Sequence, residues 1–288
     1  MRWMIGLDLE TRSRGTLEFA AWLAAQTRKP AAQEFAAVHI LDERLHHLLR
    51  TDQLEELFAR AGQELGRVVD SSTAAPAVVT RRIVSAETPE RGLVDTLAAE
   101  AYDGLVVGRL AESTDAPRLV RLGRVARHLL RRLPRPVVVA PPDVKSTTIG
   151  RGPLLLATDL DESSKPAATF AARLAAELDR EVVVVHVDAG FVVVPTFWGD
   201  PVVVPTPPRR IPADVDDWAK QVGLAAARTI LAEGRIVENV LDIAKRQDAP
   251  LVVCGSRGLN AFDRIFMSST ATDLARLADR PVVVVPSH

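Results

Sequence analysis

The chain has 288 residues, 47% of them hydrophobic and 25% charged, with a formal net charge of −1. This composition suits a globular protein of two domains, each able to bury its own core, and the balanced charge gives no bulk pull toward nucleic acid or an anionic membrane. The single cysteine, Cys254, excludes an intramolecular disulfide framework and any multi-cysteine zinc site.

In chain order, the first eight residues reach a carboxylate, Asp8, too early for a secretory leader. No segment holds the roughly 18 to 20 unbroken apolar residues that a bilayer span needs, so a cytoplasmic protein is expected. Apolar, non-alternating runs at 4–7, 36–40, 105–107 and Val137–Ala140 predict strands covered on both faces, with a weaker strand near 81–85. Between them the period changes to 3.6. A helical pattern occupies 52–69, and Leu93, Val94, Leu97 and Ala101 share one helical face. Arg118, Arg121, Arg124, Arg127, Arg131, Arg132 and Arg135 make the region 118–135 a strongly basic last helix. Residues 124, 127 and 131 form a stripe that reads first as a solvated face, with an anion or acidic partner as the alternative.

A proline-then-polar linker at 141–148 divides the chain into domains 1–145 and 146–288. The second half then repeats the pattern, with strands at Leu154–Ala157, 182–187, 228–232, 251–253 and Val282–Val285. Phe170, Leu174 and Leu178 sit four apart after a Ser163/Ser164 cap and Pro166. Val237, Val240, Leu241 and Ala244 form a second apolar face. The stretch 189–212, with six prolines and Phe191, Phe197 and Trp198, reads as a loop. It leaves from a strand's carboxyl end and is either a cover for a ligand site or an ordered surface excursion.

The two halves match at both ends. Asp8-Leu9 and, ten residues later, Phe19-Ala20-Ala21 return as Asp159-Leu160 and Phe170-Ala171-Ala172 at identical spacing. Arg135-Pro136-Val137-Val138-Val139 returns as Arg280-Pro281-Val282-Val283-Val284. Strands alternating with helices in each copy imply right-handed βαβ units. The expected fold is therefore α/β: two tandem doubly wound domains, each a five-stranded, mostly parallel sheet between helices. In such sheets ligands bind beyond the strands' carboxyl ends, where the winding direction switches.

At that place the second copy carries Gly255-Ser256-Arg257-Gly258, followed by Ser268-Ser269-Thr270 at a helix start. Glycine lets a ligand approach bare backbone, and hydroxyls beside orphan helix N–H groups suit phosphate. A tight turn with a Ser/Thr cap needs the same residue types. His39 and His186 recur near Asp42 and Asp188. A catalytic pair is conceivable, but repetition by duplication favours structural histidines. His46-His47 is a surface pair without metal-ligand spacing, and no Gly-x-Ser-x-Gly elbow occurs. Cys254 lies in an apolar run and reads as a small buried filler.

The strand-ending Asp159, the Gly255-x2-Gly258-x9-Ser268-Ser269 loop and the terminal Arg-Pro-Val-Val-Val-Val-Pro resemble the universal stress protein family, across both halves. The resemblance implies an open, Rossmann-like twisted sheet that in some members binds ATP. It places Asp159 at the adenosine end, Val187 with its backbone toward adenine, and Gly255, Arg257, Gly258, Ser268, Ser269 and Thr270 around the phosphates. Ser268 stands where the motif has its third glycine. The first copy departs further. Ala111 replaces the second glycine, Gly123 falls two residues late, and Arg124 takes the Ser/Thr position. One live site beside one decayed site is expected. In the family the last strand pairs antiparallel with its counterpart, so Val137–Ala140 and Val282–Val285 should join as an intrachain pseudo-dimer.

The function these residues suggest is regulatory binding of ATP or AMP in the second domain, with no catalytic residue and no protein metal site. Mg²⁺ would accompany ATP through its phosphates. The alternatives are a nucleotide-free interaction module with vestigial loops, or a slow ATP hydrolase using His186 or Asp159. Further association of chains is left open.

Overall fold

The computed structural model describes residues 1–9, 13–26, 33–110, 122–131, 134–194, 202–205, 211–256 and 270–287. The first half contains β1 (Arg2–Gly6), α1 (Arg14–Gln26), β2 (Glu34–Asp42), a short α2 (Leu45–Leu48), α3 (Thr51–Asp70), β3 (Val78–Ala86), α4 (Pro89–Ala99), β4 (Gly104–Gly108), α5 (Arg124–Arg131) and β5 (Val137–Ala140). The second contains β6 (Leu154–Ala157), α6 (Lys165–Leu178), β7 (Val182–Asp188), β8 (Phe191–Val194), β9 (Val202–Pro205), α7 (Pro212–Gln221), β10 (Arg228–Glu233), α8 (Ile236–Arg246), β11 (Val252–Gly255), α9 (Thr270–Leu277) and β12 (Val282–Val285).

Ten strands form one sheet in the order β10-β7-β6-β11-β12-β5-β4-β1-β2-β3. All neighbours are parallel except β5 and β12 at the centre, which pair antiparallel through Val139–Val282, Val138–Val283 and Val137–Val284. Each half is a five-stranded, doubly wound unit, and the order reads the same from either end. The expected intrachain pairing is present.

Alternation along the strands sends successive side chains to opposite faces of this shared sheet. Trp3, Ile5, Val138 and Val283 point into a core under α1, α3, α6 and α7. Met4, Val137, Val139, Val282 and Val284 point into a core under α4, α5, α8 and α9. Both cores run unbroken from one half into the other. The α1 and α6 helices are alanine-rich, and α6 has Pro166 in its first turn and ends at Asp179 in the left-handed region (φ 53°). Phe170, Leu174 and Leu178 all face the core as expected.

Polar contacts reinforce the join. Trp3 is buried, meets Phe170 edge-on at 6.3 Å, and donates from its indole nitrogen to Gln33, whose amide donates to Glu177 at 2.6 Å. Arg173 and Asp103 form a 2.6 Å ion pair between the halves.

Three expectations need correction. Ala101 lies beyond the end of α4 and is exposed, so it is not part of that helical face. The 3.6 period carried past the point where the helix stops at Glu100. The 189–212 stretch is not only loop, because its two valine-rich runs pair as the β8–β9 hairpin. β-branched residues favour strand despite the flanking prolines. Phe197 and Trp198 lie outside the described residues. Ser164 makes no cap bond to α6; its hydroxyl is used elsewhere, as described below.

Among the described residues no helix is long and apolar enough to cross a membrane. Cys254 is buried, and burial pushes its thiol from an ordinary 9.0 up to about 12.

Two outcomes follow. Trp3→Ala removes the largest side chain shared by the two halves and costs about 3 to 5 kcal/mol, read from the urea midpoint. The Cys254 thiol stays protonated in the folded chain while the unfolded thiol ionises near 9.0, so its contribution is full below pH 9 and is lost between pH 9 and about 12. The wild type therefore loses stability relative to Cys254→Ala across that window, and native protein at pH 8 resists thiol reagents.

Candidate functional site

The switch point of the second unit lies between β6 and β11. From β6 the chain winds outward through β7 to β10, whereas β11 and β12 lie on the other side. The last β6–β11 pair is Ala157 with Cys254, so the turn after β6 and the loop after Gly255 leave the sheet side by side.

The turn after β6 is tightly specified. Leu160 adopts a left-handed backbone (φ 65°), a conformation that opposes its branched side chain. The Thr158 hydroxyl accepts from Leu160 N–H at 2.9 Å. Asp159 Oδ1 accepts from the Ser164 hydroxyl at 2.5 Å and from Asp161 N–H at 3.2 Å. His186 Nδ1 donates to the Thr158 carbonyl at 2.9 Å.

The left-handed leucine, the Asp–Ser bond and the histidine contact of this turn have counterparts in the first half, whereas Leu7 stands where Thr158 supplies a hydroxyl. Leu9 has φ 61°. The Ser13 hydroxyl donates to Asp8 Oδ1 at 2.5 Å, and His39 Nδ1 donates to the Leu7 carbonyl at 2.8 Å. Both histidines thus tie β2 or β7 to the end of its neighbouring strand, and neither makes a His–Asp pair. Asp42 is held instead by Arg44, which depresses its carboxyl to about 2, and Asp188 accepts from Gly190 N–H. These contacts are the kind that a structural role for the two histidines requires. Ser13 and Ser164 were missed as site residues, although the identical Asp-to-Ser spacing, five residues in each copy, was legible in the sequence.

Gly255 brings the two loops together. A Cβ placed on it would stand 3.5 Å from the Ser163 carbonyl oxygen and 3.8 Å from the Ser164 hydroxyl. Beyond it, Ser256 N–H donates to the Val285 carbonyl at 2.7 Å, anchoring the loop's first residue to β12. Val187 lies two residues past the last β6–β7 pair, Ala157 with Val185, and so shares Val185's hydrogen-bonding edge toward the switch point. Thr270 is exposed at the first position of α9. Arg257, Gly258, Ser268 and Ser269 lie outside the described residues. Asp159, Val187, Gly255 and Thr270 are therefore the expected site residues whose positions the structure gives. The first, second and third of them border the switch point.

The first half differs where the loop returns. A Cβ on Gly123 would stand 3.1 Å from Cγ of Leu110, so this leucine fills the space over the position where the family motif has its third glycine. Arg124 at the start of α5 turns toward the buried Glu90, 3.5 Å away in the first turn of α4. Of the basic region 118–135, Arg127 and Arg131 are exposed, while Arg118, Arg121 and Arg132 lie outside the described residues. Among the described residues no cluster of three or more His, Cys, Asp or Glu side chains is suited to a metal ion.

The sequence profile of the universal stress protein family matches residues 1–141 and again 150–286. The chain is 28% identical over 144 residues to universal stress protein YxiE of Bacillus subtilis (strain 168), a match that spans 46% of this chain and 97% of that one. It is 30% identical over 135 residues to a universal stress protein of Thermus aquaticus, covering 46% of this chain and 96% of the relative. A crystal structure of a universal stress protein from Archaeoglobus fulgidus DSM 4304 superposes over 100% of this chain and 98% of its own, with a TM-score of 0.72 at 17% identity, and so shares the whole fold. With both halves matched, the chain belongs to the universal stress protein family, as a tandem pair of its domains.

Proposed function

We propose that this protein is a cytoplasmic stress-response regulator that binds an adenine nucleotide, ATP or AMP, at the switch point of its second domain. The observation that carries the reading is the meeting of Gly255 with the Asp159–Ser164 turn, where backbone rather than side chain borders the space past the strands. Asp159 and the Val187 backbone would take the adenosine end. Gly255, Arg257, Gly258, Ser268, Ser269 and Thr270 would take the phosphates, with helix-start N–H groups supplying the donors that an anion requires. Mg²⁺ would be held through the phosphates of ATP.

Binding without turnover is part of the proposal. His186 Nδ1 donates to the Thr158 carbonyl and Asp159 Oδ1 accepts from Ser164, contacts that suit a positioning role for both. The first domain supports a second reading for that half alone, because Leu110 over Gly123 suits a nucleotide-free module.

Calorimetry of ATP and of AMP against wild type and Gly258→Val tests the assignment. Wild type is expected to bind one nucleotide per chain, and the valine is expected to weaken binding by at least about tenfold, a barrier of side-chain bulk against phosphate. Equal affinities would remove the glycine loop from the site. Any ATP turnover that disappears in the Asp159→Ala, His186→Ala double variant would restore the hydrolase.

A further inference from the structure

We infer that Arg109, from the degenerate loop of the first domain, is a positioning residue for the nucleotide site of the second; this rests on the function proposed above. Arg109 follows the last residue of β4, and its N–H donates to the Ala140 carbonyl at 2.9 Å. Its side chain crosses the junction, and Nη1 donates to the carbonyls of Arg276 and of Ala278, the latter at 2.9 Å. These acceptors lie at the carboxyl end of α9, whose opposite end opens at Thr270, directly after Ser268 and Ser269.

The consequence is electrostatic and geometric together. The last carbonyls of a helix have no partners within it, and they form the negative end of its dipole. A guanidinium seated on two carbonyls at that end satisfies them, neutralises the end and fixes the helix along its axis. An eight-residue helix spans only about 12 Å, so a clamp at one end sets the position of the other. A polyphosphate at the amino end and Arg109 at the carboxyl end both lower the energy of the same dipole. Because the clamp holds α9 in place before the anion arrives, a polyphosphate meets donors already ordered, and the coupling so produced is reciprocal.

The arrangement runs in one direction only. The residue equivalent to Arg109 in the second domain is Ser256, since both follow the loop's first glycine and both donate N–H to the end of the neighbouring strand, at Ala140 or Val285. A serine is too short to reach across to α5. The loop whose space Leu110 fills thus supplies an arm to its partner domain, and the intact loop supplies none in return.

The test uses the full chain as wild type, Arg109→Gln and Arg109→Lys. ATP affinity is read by calorimetry, and amide hydrogen exchange over residues 272–278 is followed without nucleotide. Arg109→Gln is expected to weaken ATP binding about five- to tenfold and to speed exchange at the end of α9. Arg109→Lys, which keeps the charge, should recover most of both, a rescue that a merely space-filling role would not show. Should the glutamine variant fail to fold, Arg109→Met, which keeps the length and loses the charge, takes its place, and exchange unchanged from wild type in that variant overturns the clamp. Wild type and Arg109→Gln binding ATP equally well would overturn the coupling and leave the nucleotide site standing. A wild type that binds no adenine nucleotide would overturn the site and this inference with it.

Discussion

The antiparallel contact between β5 and β12 is the constraint on which the architecture rests. Each strand is a short run of valine and alanine at the edge of its own five-stranded unit, and both its faces are buried. Left open, such an edge presents unpaired N–H and C=O groups beside apolar surface and invites pairing with other chains. Joining the two edges satisfies the backbone, makes one sheet of ten strands and lets both cores continue across the join. The outer edge at β3 is protected differently. In β3, Arg81 pairs with Asp70 and Arg82 with Glu100, so charge discourages further growth of the sheet there.

Duplication has left two kinds of position. The turn after the first strand is kept in both copies down to the left-handed leucine, the Asp–Ser hydrogen bond and the histidine that holds the strand end. A non-glycine residue in that region costs on the order of 1 kcal/mol or more, and persists only where surrounding contacts fix it. Its presence twice shows that the turn is a property of the fold, whatever each copy binds. The glycine loop, in contrast, has diverged. Leu110 covers Gly123 in one copy, and Gly255 approaches the Asp159–Ser164 turn in the other.

This separation divides scaffold from variable surface. The rigid parts, strands and their first turns, are shared, and the differences lie in segments beyond the carboxyl ends, where a change of side chain alters a site without disturbing the sheet. The β8–β9 hairpin follows the same rule. It grows from the end of β7 as a separate two-stranded sheet, with Val202 and Val204 exposed, and has no counterpart among the described residues of the first half.

The sequence by itself determined the fold, because its signals are local and repeated. Unbroken β-branched runs specify strands buried on both faces, 3.6-residue spacing specifies the helices that bury them, and the recurrence of Asp-Leu and of Arg-Pro-Val-Val-Val specifies two equivalent units. It also pointed to the carboxyl ends of the strands as the place for a ligand, and the family resemblance assigned Asp159 and Gly255 to that place. It did not show that Ser164 serves Asp159 rather than capping α6, that Leu110 fills the space over Gly123, or that Arg109 reaches carbonyls 167 and 169 residues away. Those choices fell to tertiary structure for a physical reason. A serine hydroxyl or a guanidinium has several partners of similar worth, and only the packed sheet decides which one lies within hydrogen-bond reach.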